Sequence, residues 1–212
     1  MATYEPLTTK NFARTITEAM AEERTFTMRM DADGEGFDGA VDLGDGTQFS
    51  MAGTLTENGE TSEMIMLDGR VVMRDEGEKK YTELPPNMAS AVLASVGDMS
   101  PAAQAEEFHE LLASVKYLGP EDADEERFHR YQVAYDADAV KKRLEKESGR
   151  TLDEVPAGFP LTVEVVLDGD HRLRQMAFEA MGQKAVIDVD HWGEQVKIEL
   201  PPASQIELID VG

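Results

Sequence analysis

Five dipeptides constrain this chain more than any other feature: Asp33-Gly34, Asp45-Gly46, Asn58-Gly59, Asp68-Gly69 and Asp168-Gly169. Asn or Asp followed by Gly tolerates the positive φ of a two-residue hairpin turn, so each pair marks a place where one strand reverses onto the next. The runs beside them alternate. Phe26, Met28 and Met30 are interleaved with Thr25, Thr27, Arg29 and Asp31, the period of two expected of a half-buried strand. Further strand-like runs cover residues 47–56, 61–67, 70–74 and 80–84. Strands joined by such short turns form an antiparallel meander, because parallel neighbours need long crossovers.

Helical periodicity interrupts this pattern. Thr8 or Thr9 caps a helix reaching about Glu23, with Phe12, Ile16, Ala19 and Met20 on one face. Pro85-Pro86 stops the first group of strands, and helices are expected over residues 88–96 and 102–115. The second of these carries the stripe Ala105, Phe108, Leu111, Leu112 and Val115. Residues 117–119 and 127–135 read as strands around an acidic turn over 121–126, and a polar helix over 138–148 stops at Gly149. Strand runs return at 161–167, 172–180, 184–190, 196–200 and 206–210. The expected fold is α+β, a single domain over residues 1–212 with one strongly curved antiparallel sheet.

Charge and composition remove several classes of function. Forty-three Asp and Glu against twenty Lys and Arg leave a net charge of -23, which repels phosphate backbones and argues against a nucleic-acid partner. The sequence has no cysteine, hence no disulfide, thiolate nucleophile or cysteine metal site. His109-Glu110 begins like a zinc-protease helix, but Ala113 stands where the second histidine is required. His171 and His191 read as isolated histidines on neighbouring strands. Asp31, Asp33 and Glu35 lack the remaining spacing of a calcium loop and read as an acidic turn. No nucleophile elbow or glycine-rich phosphate loop is present. The expectation is no catalytic residue, no metal, no cofactor and no enzyme activity.

The twelve methionines carry more information. Met28 and Met30, and again Met64 and Met66, are two apart on strand-like runs, so each pair faces one side of a sheet. Unbranched thioethers conform to irregular apolar shapes, which suits a surface that accepts flexible chains as well as it suits an ordinary core. Copper is a further reading of Met-x-Met, without a neighbouring histidine to support it.

The C-terminal third runs Val165-Val166-Leu167-Asp168-Gly169-Asp170-His171-Arg172-Leu173-Arg174-Gln175-Met176, and later Asp188-Val189-Asp190-His191-Trp192-Gly193 through Leu200-Pro201-Pro202. With Phe12, Leu67-Asp68-Gly69-Arg70-Val71, Tyr81 before Leu84-Pro85, Tyr131-Gln132-Val133-Ala134-Tyr135-Asp136 and Val155-Pro156, this order resembles the lipid-carrying lipoproteins of the actinobacterial envelope, the LppX and LprG group. That resemblance implies a half-open β-barrel of the LolA and LppX kind, with helices on its concave face. It also implies a monomer that carries or holds a lipid, an acylated glycolipid or a lipoprotein, without catalysis. A sensor, regulatory or lipoprotein-sorting module on the same fold is the alternative. Relatives of this kind hold the extracytoplasmic face of the plasma membrane through a lipidated N-terminal cysteine, or are secreted. No signal peptide or such cysteine occurs in this sequence, so residues 1–8 are expected to be the remnant of the tether and the membrane anchor one absent from it.

Strand parity and the expected helices nominate a lipid-binding lining. On the early strands it comprises Met28, Met30, Phe49, Met51, Met64 and Met66; later it comprises Phe108, Leu112, Val163, Val165, Met176 and Phe178. The helical stretch 88–115, after the Pro-Pro break and with Gly97 as hinge, is the expected movable lid.

Overall fold

The computed structural model of the protein describes residues 4–44, 49–96, 108–123, 126–180 and 182–208. In chain order the elements begin with α1 (Phe12–Glu23), β1 (Thr25–Ala32), β2 (Glu35–Asp42), β3 (Ser50–Glu57) and β4 (Glu60–Leu67). There follow β5 (Arg70–Asp75), β6 (Tyr81–Glu83), α2 (Pro86–Val96), β7 (Leu112–Ala123), β8 (Glu126–Tyr135) and α3 (Ala137–Ser148). Last come β9 (Thr162–Leu167), β10 (Leu173–Ala180), β11 (Gln183–Asp190), a 3-10 turn at Ala203–Gln205, and β12 (Ile206–Leu208). The class is α+β and the pairing is antiparallel except for β12, which runs parallel to β6. No described helix is long and apolar enough to cross a membrane.

Two compact units divide the chain: Met1–Glu22 with Pro101–Asp188, and Glu23–Ser100 with Val189–Gly212. In the first the strand order is β11-β10-β9-β8-β7; in the second it is β12-β6-β5-β4-β3-β2-β1. β7 and β12 end these runs with a partner on one side only, so neither closes into a barrel.

The core of the first unit lies between α1 and its sheet. Leu7 and Phe12 pack on Tyr131, Val133, Val163, Val165 and Leu167, which share one face because Tyr131 pairs with Val165 and Val133 with Val163. The Phe12 ring meets Tyr131 edge-on, with centroids 5.3 Å apart. α3 is capped at both ends: Asp136 accepts from the Ala139 amide at 2.9 Å, and Gly149 takes φ 65° and donates to the Glu145 carbonyl at 2.9 Å.

In the second unit the turn signals act as their chemistry requires. Asp33, Asn58 and Asp68 have φ near 55°, and the glycine after each has φ between 75° and 87°, the double positive φ of a type I′ turn. In the first unit Asp168-Gly169 works differently: the Asp168 carboxylate accepts from the Asp170 and Arg172 amides, and His171 takes the positive φ. Asp45-Gly46 lies outside the described residues.

Four sequence expectations need correction. Residues 35–42, rich in glycine and aspartate, form β2, a strand the propensity reading passed over. The helix expected over 102–115 ends at residue 111, and Leu112 and Val115 lie in β7, since the long β7–β8 ladder satisfies more backbone than another helical turn. Glu121 and Asp122 are not a turn; they extend β7 and pair with Arg130 and Arg127. Residues 196–200 have no strand partner and run as a strap from Trp192 towards β12.

β2 and β3 approach closely where Gly39 faces Gly53. A Cβ on Gly39 would stand 2.6 Å from the Gly53 Cα and from the Phe37 ring, and one on Gly53 would meet the same ring at 2.7 Å. We expect Gly39→Ala or Gly53→Ala to cost ~1–3 kcal/mol by overpacking. Gly169→Ala, with nothing within 4 Å of the new Cβ, should stay within about 0.5 kcal/mol of wild type. Urea unfolding midpoints of the three variants check this.

Candidate functional site

Cross-strand register places an apolar floor on one face of the second unit. Three rows of directly opposed residues build it. The first row is Phe26, Val41, Met51, Met66 and Val71; the second is Met28, Gly39, Gly53, Met64 and Met73; the third starts with Met30, Phe37 and Leu55 and ends in Ser62 and Asp75. Every member of the first row is buried, Met66 completely. In the second row Met28, Met64 and Met73 are half-buried, and in the third Met30 is 36% exposed. Phe37 in that third row is buried, so the floor opens through the methionines and not across whole rows. In its middle the two glycines leave a trough over which the Phe37 ring lies.

The opposite face is polar. Arg29 pairs with Asp38, Arg70 with Glu83 at 2.7 Å through two nitrogens, and Arg74 with Glu63. Arg74 also lies over the Tyr81 ring, 4.6 Å from its centroid. The Glu63 carboxyl sits below the usual carboxylate range because the Tyr81 hydroxyl and then Arg74 hydrogen-bond to it. Burial, followed by the bond to Glu63, pushes the Tyr81 phenol up. β5 is closed on both faces, as adjacent Val71 and Val72 are each fully buried, and α2 packs beside it.

The nominated lining residues divide between the units. Met28, Met30, Met51, Met64 and Met66 all lie on the apolar floor, and Phe49 is half-buried in the loop just ahead of β3. In the first unit Val163 and Val165 are core residues beneath α1, while Leu112, Met176 and Phe178 pack half-buried at the margin of that core. Phe108, in a helical turn over 108–111, has its ring 6.3 Å from Tyr135. Gly97 and most of the expected lid lie outside the described residues. Met73, Phe37, Leu55 and the glycine pair were missed. The signal existed, since Phe37, Gly39 and Val41 alternate with Asp38, Ala40 and Asp42.

A polar aromatic cluster in the first unit also escaped the sequence reading. The Tyr4 hydroxyl lies 2.7 Å from that of Tyr131 and 3.1 Å from His171 Nδ1, and the Leu7 amide donates to the Tyr131 hydroxyl. His129, 4% exposed, stacks on the Tyr4 ring and has its Nδ1 2.9 Å from the Tyr117 hydroxyl. Residues 4–7, expected as tether, are thus fastened to the sheet. Burial, then the His171 and Arg127 charges, holds the His129 imidazole below its ordinary value. The Tyr4 and Tyr117 phenols are pushed up, chiefly by burial. Among the described residues no fully buried side-chain nitrogen or oxygen lacks a hydrogen-bond partner. A separate open groove of about 520 Å³ follows Gln195, Val196, Lys197, Ile198 and Glu199 on the strap. Among the described residues no three His, Asp or Glu side chains are placed to hold a metal.

Because the folded site keeps His129 neutral, its contribution to stability is complete above pH 6.5 and is lost as pH falls from there through the lowered folded value. Glu63 adds a second loss only below about 4.5. We expect the urea midpoint to fall between about pH 7 and pH 5, and His129→Phe, which keeps the ring on Tyr4, to flatten that slope. An unchanged slope in the variant would contradict the assignment.

No protein-family model matches the chain, and no curated protein matches it in sequence. Solved structures do match in shape. LprF from Mycobacterium bovis superposes with a TM-score of 0.62 over 91% of this chain and 96% of its own, at 11% identity. The Mycobacterium tuberculosis lipoprotein LppX gives 0.63 over 90% and 98%, at 12% identity. At these identities the likeness is one of fold, and the chain has the fold of LprF and LppX.

Proposed function

We propose that the protein binds a lipid or lipidated molecule and carries or holds it at the cell envelope, without catalysis. The observation that carries this reading is the graded methionine floor of the second unit. Its first row is sealed and Phe37 covers the glycine pair, yet Met28, Met64, Met73 and Met30 leave apolar surface partly open around them. A soluble protein with so many charged residues gains nothing from such a surface unless something apolar comes to it. Flexible thioethers adapt to a chain of variable shape better than branched side chains do.

Magnitudes favour an acyl chain as the occupant. Each methylene leaving water contributes ~0.8 kcal/mol, so about fifteen offer ~12 kcal/mol before ordering costs take a large share. Micromolar binding, at ~8 kcal/mol, is the upper bound once about 4 kcal/mol of association cost is subtracted. Phe49 and the floor methionines form the contact in this proposal. In the first unit, taken by itself, Leu112, Met176 and Phe178 pack half-buried on a core that includes Val163 and Val165. The fold shared with a lipoprotein such as LppX supports an extracytoplasmic site of action, with a lipid anchor as the membrane link.

Native mass spectrometry of protein purified from a lipid-containing host tests the proposal. We expect added mass that organic extraction removes and identifies as acyl lipid. Met64→Glu puts a carboxylate on the floor and should weaken binding of dansylamino-undecanoic acid by more than about tenfold, because burying that charge against a hydrocarbon costs several kcal/mol. A variant that binds like wild type would remove the floor from the site.

A further inference from the structure

The floor is also where this protein's sulfur is concentrated. Six of the twelve methionines, Met28, Met30, Met51, Met64, Met66 and Met73, share this one face. With no cysteine in the sequence, no thiolate competes for an oxidant, and the thioether is the first sulfur available to react. Burial grades them. Met66 and Met51 are sealed in the first row, Met28, Met64 and Met73 are half-buried in the second, and Met30 is the most open. Among these six, the more open side chains are therefore those on the part of the floor left for a ligand.

We propose that Met30, Met28, Met64 and Met73 are oxidation sites through which a peroxide releases the bound lipid. This rests on the lipid-binding reading above. In the reaction a thioether lone pair takes one oxygen from hydrogen peroxide; the O–O bond breaks, the S–O bond forms, and the departing oxygen leaves as water. The sulfur is oxidised by two electrons and the peroxide reduced. The product is a polar sulfoxide with a strong acceptor oxygen. The second row offers it little: glycine lies between Met28 and Met64, and the one hydroxyl at the end of that row is Thr82, opposite Met73. An acyl chain laid over an unsatisfied acceptor loses about tenfold in affinity for each such group. Methionine sulfoxide reductases reverse the change, so the floor would work as a reversible oxidant-sensitive release.

The test treats the purified full chain with hydrogen peroxide, removes the excess with catalase, maps sulfoxides by peptide mass spectrometry and titrates dansylamino-undecanoic acid. The expected result is sulfoxide at Met30, then at Met28, Met64 and Met73, before Met51 or Met66. Probe affinity should fall about tenfold or more and recover after reductase treatment. A variant carrying Met28→Leu, Met30→Leu, Met64→Leu and Met73→Leu keeps the floor apolar but removes its sulfur, so whatever affinity it starts from, peroxide should leave that affinity unchanged. Oxidised wild type that binds as well as untreated protein overturns the inference, as does a leucine variant that loses binding equally, or Met66 oxidising as fast as Met30. If neither untreated protein binds the probe, the lipid reading itself fails and takes this one with it.

Discussion

Register is the constraint on which the rest of this structure depends. A strand turns successive side chains to opposite faces, so a slip of β4 by one residue on β3 would exchange Met66 and Met64 for Ile65 and Glu63 beside Met51. The type I′ turns at Asp33-Gly34, Asn58-Gly59 and Asp68-Gly69 fix that register by allowing two residues per reversal and no more. Ion pairs on the other face act against slips in the neighbouring β4–β5 and β5–β6 pairings. Arg70 reaches Glu83, and Arg74 reaches Glu63, only in the observed pairing. One face is thereby committed to methionine and the other to charge.

The two faces also explain how so acidic a chain sustains an apolar floor. Exposed ion pairs contribute little to stability individually, so the polar face chiefly sets orientation and solubility. Stability comes from sealed residues such as Met66, Val71 and Val72 in the second unit and Tyr131, Leu167 and Val133 in the first. The Tyr4, Tyr131, His129 and His171 cluster adds a polar fastening in the first unit, where a buried neutral imidazole links the N-terminal segment to β8.

Much of this was legible in the sequence, for identifiable physical reasons. Turn dipeptides and alternation located β1, β4, β5 and the late hairpins, and Asp136 and Gly149 bracket α3 close to the periodicity reading. The methionine pairs were read correctly as facing together. β2 was not found, because its glycines and aspartates disfavour strands when residues are weighed singly. The ladders with β1 and β3 override that preference. With β2 unread, Phe37 and the glycine trough stayed invisible. Leu112 and Val115 fit a helical stripe by spacing, but long-range pairing with β8 decides their conformation. The buried cluster depends on residues 127 and 167 positions apart, which no local pattern reports.

The central claim is that the open rows of the methionine floor receive a hydrocarbon chain. The most direct measurement is nuclear magnetic resonance of isotope-labelled methionine methyl groups during titration with a long-chain fatty acid. The account predicts large shifts at Met28, Met30, Met64 and Met73, with Met66 responding least. Shifts confined to methionines off the floor, such as Met20 and Met88, or none at saturating fatty acid, would contradict it.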